Sequence, residues 1–499
     1  MVTHGLSDTG FSSDRGRSTS AGATLTTTHL PVRSLPPVTN PVNRQPPALP
    51  GTAAPEAAGA GADQLGTALL TDHYELTMVQ ASLRSGAAKR RAIFEVFARH
   101  LPHGRRYGVV AGTGRLLDAI ARFRFGPADL EFLASSGIVD AATLAFCESY
   151  RFRGNIWGYA EGDMYFPGSP ILVVEATFAE AVLLETLTLS VLNHDCAIAS
   201  AASRMVTAAG GRPLIEMGSR RTHERAAVAA ARAAYIAGFA STSNLRARYE
   251  FGVPSAGTSA HAFTLVHDSE RHAFASQLEA LGKQTTLLVD TYDVARAVRT
   301  AVELAGPGLG AVRIDSGDLP VVARGVRELL DQLGASSTRI VLTGDLDEYS
   351  IAALAAAPVD GYGVGTSLVT GSGAPTAALV YKLVARAPDD HDDSPLQPVA
   401  KRSVGKPGRG GRKWAVRHRD EHGTALTERI SLLPPEPGPG DRELLVPLVV
   451  SGEIVSREDT EAARARHRAA LAELPPYALQ LSRGYPAIPT VFEPDRDEE

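Results

Sequence analysis

Residues 285–347 read TTLLVDTYDVARAVRTAVELAGPGLGAVRIDSGDLPVVARGVRELLDQLGASSTRIVLTGDLD, and this stretch decides the fold. Three short apolar runs, TTLLVD, GAVRID and TRIVLT, end in Asp290, Asp315 and Thr343. They recur at roughly 20 to 30 residues, the length of one strand–helix unit in a parallel sheet. Between them VARAVRTAVELA (294–305) and VVARGVRELLDQLG (321–334) place apolar residues at helical spacing, and Gly334 stands where the second helix ends. Working outward, EYSIAALAAA (348–357) adds a helix and VDGYGVGT (359–366) a strand, while PLIEMG (213–218) and VPSAGTSAH (253–261) read as earlier strands. In a parallel α/β array the carboxyl ends of the strands share one rim, so Glu216, Asp290, Asp315 and Thr343 converge there. The fold class is therefore α/β: a parallel α/β barrel with its active site at the strand C-termini.

The flanks have another texture. Residues 152–176 (FRGNIWGYAEGDMYFPGSPILVVEA) alternate apolar residues with Gly and Pro turns, and VAKRSVGKPGRGGRKWAVRHRD (399–420) reads as a hairpin with basic loops. Together they predict a discontinuous β-rich second domain, 63–195 with 396–450, around a barrel of 196–395. Within the first part, RAIFEVFAR reads as a strand, and LLTDHYELTMVQASLRSG as a helix capped by Thr71 or Asp72 and ended by Gly86. Residues 1–62, rich in Ser, Thr, Pro, Gly and Ala, are expected to be a disordered tail. The end, 451–499, is expected to be a helical extension around EDTEAARARHRAALAEL that then runs extended.

Composition bounds the function. A formal charge of −5 over 499 residues leaves no electrostatic footprint for nucleic acid or an acidic membrane. Cys147 and Cys196 form no CxxC pair, which argues against a disulfide scaffold or a thiolate zinc site. The most apolar run, PILVVEATFAEAVLLETLTLSVL, is broken by Glu175, Glu180 and Glu185, so no membrane span and a cytoplasmic location are expected.

Four motifs can carry chemistry, each with a plainer reading beside it. GYGVGTSLVTGSGAP (361–375) lets backbone N–H groups approach a phosphate after a late strand, or is simply a glycine-rich turn. EMGSRRTHER sets Arg220 and Arg221 before an Ala-rich helix that Thr222 can cap; they form an anion pocket, or are solvated or paired with Glu224. GAVRIDSGDL brings Arg313, Asp315 and Asp318 to one strand end, to serve a ribose, Mg²⁺ or a cationic transition state, or to form a rim salt bridge. His261, expected at a strand end in AGTSAHAF, is a nucleophile or a structural histidine, with Thr258 and Ser259 able to orient the ring or a phosphate.

Taken in order, LLTDHYELTM, FEVFARHLPHGRRYGVVAG, ETLTLSVLNH, EMGSRRTHERAAVAAARAAYIAGFASTSN, FGVPSAGTSAHAF, LLVDTYD, VRIDSGDL, GDLDE, GYGVGTSLVT and VYKLV resemble the nicotinate phosphoribosyltransferase family, collinearly from about residue 66 within a span reaching about 450. The resemblance implies a type II phosphoribosyltransferase: an ATP-coupled, C–N bond-forming ligase joining nicotinate to phosphoribosyl pyrophosphate, with Mg²⁺ required. It further implies a place in NAD salvage and a homodimer with sites near the subunit boundary. By position, His261 matches the family's phosphorylated histidine, Tyr74 an aromatic that stacks on the pyridine ring, and Arg313 a pocket arginine. Arg220 and Arg221 match a pair facing anionic groups, and which of them meets the nicotinate carboxylate stays open. Asp290, Asp315 and Asp318 match acids around ribose and Mg²⁺, with Asp290 and Asp315 as the metal candidates. Thr258 falls in the substrate site; Gly344, Gly363, Gly365 and Thr366 match phosphate-binding positions. Met217 and His194 depart from aromatics expected beside the base. Rival readings are a nicotinamide or quinolinate enzyme, for which the clustered arginines are less apt or too few, and a nucleotide-binding regulator. An aldolase-type barrel would need a strand-end lysine that these strands lack.

Overall fold

The computed structural model describes residues 66–391, 393–401 and 408–493. The expected tail of 1–62 lies outside the described residues, as do 402–407 within the basic loop.

Six parallel strands form the curled central sheet, in the order Ser241–Thr242, Leu214–Glu216, Gly361–Val364, Arg339–Leu342, Ala311–Ile314, Thr286–Leu288. Alternation sends Val312 and Ile314 into the core, both wholly buried, and leaves Arg313 on the other side with the rim residues. Helices Val294–Ala305 and Leu319–Gln332 fall where the apolar spacing put them, with Gly334 just beyond the second at φ 74°. Their inner residues Ala297, Val298, Val326 and Leu330 join Leu287, Ile340 and Tyr362 in one core. Burial of each large side chain there stabilises the fold by about 1.5–3 kcal/mol.

Two expectations for this region need correcting. VPSAGTSAH is not a strand: among its residues only Ser255 forms a β-bridge, to Thr242, because Pro254 has no N–H and Gly, Ser and Ala bring little strand preference. The parallel sheet consequently stays open between its edge strands Ser241–Thr242 and Thr286–Leu288, a curled half-barrel rather than a closed cylinder. His261 also changes place, from a strand end to the first residue of the helix His261–Leu265.

The β-rich part is drawn from separated segments. Its seven-stranded sheet runs Gln397–Pro398, Leu379–Arg386, Arg91–Ala98, Leu172–Thr177, Asn155–Tyr159, Leu445–Val450, Glu453–Ile454, and every pairing is antiparallel. Strand Leu379–Arg386, assigned by sequence to the barrel, therefore belongs to this sheet, so the boundary at 395/396 lies too late. A second sheet orders Asp441–Glu443, Trp414–Arg419, Ala425–Ser431 and Thr490–Phe492. The hairpin of the basic region is Trp414–Arg419 with Ala425–Ser431, later than the quoted motif suggested. Arg417, wholly buried, joins that sheet to the first part through Asp163 (3.1 Å) and pairs with Glu428 across its own sheet (2.7 Å). Burial raises the cost of the Asp163 charge, but Arg417 and Arg442 outweigh it and hold that carboxyl below its usual range.

Helix Glu185–Ala209 spans both cores: Leu187, Leu192 and Ala197 face the β-rich side, Ile198, Ala202 and Met205 the barrel side. The stretch Phe178–Ala209 is apolar and long enough to cross a membrane, yet 67% of its most apolar window is buried inside the fold. The C-terminal segment is helical first and extended afterwards. After Thr460–Ala472 it continues into a short 3-10 turn, Pro476–Leu479, and then strand Thr490–Phe492, which pairs with Ala425–Ser431. Arg464 in its helix donates to the Tyr235 carbonyl in the last turn of helix Glu224–Ile236 and to the carbonyls of Phe239 (2.6 Å) and Gly238 (3.0 Å) just beyond it.

Candidate active site

The rim of the parallel sheet gathers most of the expected side chains. Asp290 follows the edge strand Thr286–Leu288, and its side chain is 2% exposed. One carboxylate oxygen lies 3.1 Å from His261 Nε2; the other accepts the Asp315 N–H (2.9 Å) and the Ser316 hydroxyl (2.6 Å). A carboxylate only accepts, so His261 Nε2 carries the proton and Nδ1 presents a lone pair. The His261 ring is 38% exposed, open to a substrate.

Arg313 is the hub of this network. Its Nε donates to Thr343 Oγ1 (3.1 Å); one amino group donates to Thr258 Oγ1 (2.6 Å) and the Ser259 carbonyl (3.1 Å); the other reaches Asp315 (3.4 Å). Four of its five N–H bonds are thus engaged by the protein, and they clamp the loop that leads into His261. Asp315 takes Arg313 and the Thr343 hydroxyl on one oxygen, which leaves the other free at the rim. Thr343, a strand-end hydroxyl not assigned a role from sequence, ties Arg313 and Asp315 together.

The glycines are required by contact. Gly344 has φ 105°, and a Cβ there would stand 2.5 Å from the Asp315 carbonyl oxygen. A Cβ at Gly363 would meet Thr343 Cγ2 at 2.6 Å and Met217 Sδ at 2.7 Å. Gly365 and Thr366 open the short helix Thr366–Val369, with Thr366 exposed. Met217 therefore packs beside the phosphate-loop position, whereas His194 bonds Asp195 (2.8 Å) on the helix Glu185–Ala209.

Other candidates stand apart or have structural duties. Arg220 and Arg221 are exposed on the loop after Leu214–Glu216, and among the described residues their side chains form no ion pair; Asn244, which bonds Ser219 at 2.9 Å, pins that loop. The following helix is capped by His223, not Thr222: its ring nitrogen accepts the Arg225 N–H. Asp318 caps helix Leu319–Gln332, accepting the Val321 N–H at 3.3 Å, which gives the second acid of DSGD a structural role. Tyr74 lies on helix His73–Ser85, 47% exposed, and its neighbours are Thr186, Glu185 and Glu75 rather than the His261 network. Burial, then Glu185 and Glu75, push its hydroxyl up to about 12.

Asp345 at the rim was not singled out from the sequence, and Glu216, expected there, shows a burial the sequence did not reveal. Asp345 is an exposed non-glycine residue at φ 27°, a conformation that persists only where the surroundings enforce it. Glu216, wholly buried, accepts the Thr242 hydroxyl and the Gly218 N–H, and burial pushes its carboxyl up. Its place at a strand end was the only signal; its burial was not legible.

Among the described residues no three His, Cys, Asp or Glu side chains gather as a metal cage. Both Asp290 oxygens are engaged in the protein, and Asp315 keeps one open. This donor set fits Mg²⁺ carried mainly by substrate phosphates and water, with Asp315 as the one apt protein ligand.

Comparison with known proteins gives a consistent answer. Residues 69–193 match the model for the nicotinate phosphoribosyltransferase (NAPRTase) N-terminal domain. The chain is 59% identical over 432 residues to nicotinate phosphoribosyltransferase pncB1 of Mycobacterium tuberculosis, covering 85% of this chain and 94% of that one. It is 31% identical to nicotinate phosphoribosyltransferase of Homo sapiens, over 64% of this chain and 71% of that one. The crystal structure of human nicotinic acid phosphoribosyltransferase superposes with a TM-score of 0.73 at 26% identity, over 85% of this chain and 97% of that one.

Proposed function

The chain belongs to the nicotinate phosphoribosyltransferase family and is an enzyme of that activity, and on that premise we propose that it works in the ATP-coupled form, through a phosphohistidine at His261. The observation that carries this reading is the His261–Asp290 pair: with the Nε2 proton donated to the carboxylate, Nδ1 of the neutral ring keeps its lone pair, on a side chain that is 38% exposed. In the proposed first half, the Nδ1 lone pair attacks the γ-phosphorus of ATP, a P–N bond forms, and ADP departs with the electrons of the broken P–O bond. Asp290 holds the Nε2 proton and stabilises the cationic ring that results. Water later takes the phosphoryl group and restores the imidazole.

In the transfer itself, the nicotinate ring nitrogen attacks C1′ of phosphoribosyl pyrophosphate as the bond to pyrophosphate breaks. Positive charge develops on the ribose, and the free oxygen of Asp315 supports it. Arg220 and Arg221 offer cations to the nicotinate carboxylate or the pyrophosphate, while Gly344, Gly363, Gly365 and Thr366 form the phosphate seat. Bound Mg²⁺ would offset the charge of the leaving pyrophosphate. The mononucleotide product would feed NAD salvage in the cytoplasm. Tyr74 lies outside the His261 network of its own chain, which favours a homodimer in which the partner's Tyr74 completes the base pocket.

Turnover of nicotinate, nicotinamide and quinolinate with MgATP tests the substrate; equal or better use of nicotinamide rejects the assignment. His261→Asn should abolish ATP hydrolysis and its coupling while slow ATP-independent transfer survives. An unchanged ratio of ATP consumed to nucleotide formed in that variant rejects the phosphohistidine. For the dimer, mixing inactive His261→Asn and Tyr74→Ala chains should restore about a quarter of the sites.

A further inference from the structure

The turn Gly371-Ser372-Gly373 follows the helix Thr366–Val369 that begins at the phosphate seat. Its three residues have φ values of 61°, 51° and 80°. A left-handed conformation is strained for an L-residue such as Ser372, so the turn persists only if it is held from outside.

It is held from several distant parts of the chain. One Arg105 amino group donates to the Gly371 carbonyl (2.5 Å), and His103 Nε2 lies 3.0 Å from the Gly373 carbonyl. The Ser372 hydroxyl donates to one oxygen of Glu348 (2.5 Å), whose other oxygen accepts Arg204 Nε at 3.1 Å. Arg204 in turn donates to Tyr349 Oη (3.2 Å) and to the Leu481 carbonyl (2.9 Å) of the C-terminal segment. Arg105, Arg204 and Glu348 are 5%, 8% and 2% exposed, so two guanidiniums and one carboxylate are buried together. Such a cluster carries a desolvation cost that apolar packing would avoid. What it provides is direction: its bonds to Gly371 and Ser372 fix a turn that apolar contacts would leave free to slide.

We propose that Glu348, backed by Arg204, is a positioning residue that holds the phosphate-side loop Gly363–Gly373 in place through Ser372. This rests on the reading of Gly363, Gly365 and Thr366 as the phosphate seat. Loosening the turn moves the backbone that receives the phosphoribosyl substrate, and leaves the nicotinate side untouched. The effect therefore falls on one KM and not the other.

Ser372→Ala is the decisive variant, because it removes the tether and keeps the buried Glu348–Arg204 pair. KM for phosphoribosyl pyrophosphate should rise roughly 5- to 10-fold, KM for nicotinate should stay within about 2-fold, and Tm should hardly move. Glu348→Ala should raise the same KM, with a lower Tm because Arg204 loses its carboxylate. Adding Ser372→Ala to Glu348→Ala should cost little more, since both break one tether. An unchanged KM for phosphoribosyl pyrophosphate in Ser372→Ala, or fully additive effects in the double variant, overturns the proposal while leaving the enzymatic activity standing. Failure of the unaltered enzyme to join nicotinate to phosphoribosyl pyrophosphate would instead overturn the reading of the site.

Discussion

Replacing Asp290 by asparagine isolates the proton position on which the proposed nucleophile, His261, depends. One oxygen of Asp290 accepts the Asp315 N–H at 2.9 Å and the Ser316 hydroxyl at 2.6 Å. The backbone N–H can only donate, so in Asp290→Asn the new amide's oxygen must take that side. The amide NH₂ then faces His261 Nε2, which lies 3.1 Å from the native carboxylate. Nε2 must become the acceptor, and the ring proton moves to Nδ1, the atom that should attack ATP. The substitution thus preserves the fold and the placement of Asp315 while installing the wrong tautomer. An analogous carboxylate-to-amide change beside a catalytic histidine lowers turnover on the order of 10⁴. Here the ring is 38% exposed and can re-orient, so we expect a fall of roughly 10²–10³, or about 3–4 kcal/mol of barrier. The assay is ADP release with both co-substrates saturating, run beside nucleotide formation without ATP, which should stay within about 5-fold. ATP hydrolysis within about 5-fold of the unaltered enzyme would refute the tautomer argument. Equal losses in both assays would refute the separation of roles between Asp290 and Asp315.

Further outcomes follow from the same geometry. His467 is buried, and burial, then Arg464 and Arg468, lower its pKa from 6.5 to about 4. Unfolded chains take up the proton first, so its contribution is whole above about pH 6.5 and is lost as pH falls toward 4, amounting to about 2 kcal/mol by pH 5. His467→Gln keeps a partner for Ser203 and should flatten that part of the urea-denaturation profile between about pH 7.5 and 5; an unaltered slope rejects the assignment. Gly344→Ala places a methyl 2.5 Å from the Asp315 carbonyl at φ 105°, so kcat/KM should fall on the order of 10² with the circular dichroism spectrum retained. Wild-type kinetics there would mean the rim tolerates displacement. Ile340→Ala, in the barrel core, should cost about 2–5 kcal/mol by denaturant titration, and less than about 1 kcal/mol would put that strand outside the cooperative core.

The sequence made the repeating unit legible because one physical pattern is written three times: apolar run, polar end, amphipathic helix. Asp290, Asp315 and Thr343 meet because parallel strands of similar length end on one rim, and that needs no detail of the side chains. What stayed hidden depends on partners far away in the chain. VPSAGTSAH has polar residues where a strand end would carry them, yet its backbone pairs only at Ser255, and His261 reaches Asp290 from a helix instead. Leu379–Arg386 looks like any barrel strand until Arg91–Ala98, nearly 300 residues earlier, is there to pair with it. Asp318 illustrates a converse case: the carboxylate read for its chemistry also supplies the cap that the first turn of Leu319–Gln332 needs.

The same contrast explains how Arg313 divides its work. A strand-end arginine invites a substrate role, and its position on the inner side of Ala311–Ile314 was readable from alternation alone. Its bonds to Thr258, Ser259, Thr343 and Asp315 were not, because three of those partners lie 30 or more residues away in the chain. A guanidinium with four N–H bonds engaged has little left for a ligand, but it sets the loop that delivers His261 and the acid, Asp315, that we propose supports the ribose. Lysine at this position would keep the charge and lose the planar fork that spans both. Arg313→Lys should therefore impair ATP hydrolysis and transfer together, whereas Asp290→Asn impairs the first alone. If Arg313→Lys instead raised only the KM for nicotinate, the arginine would be a substrate ligand and the hub would lie elsewhere.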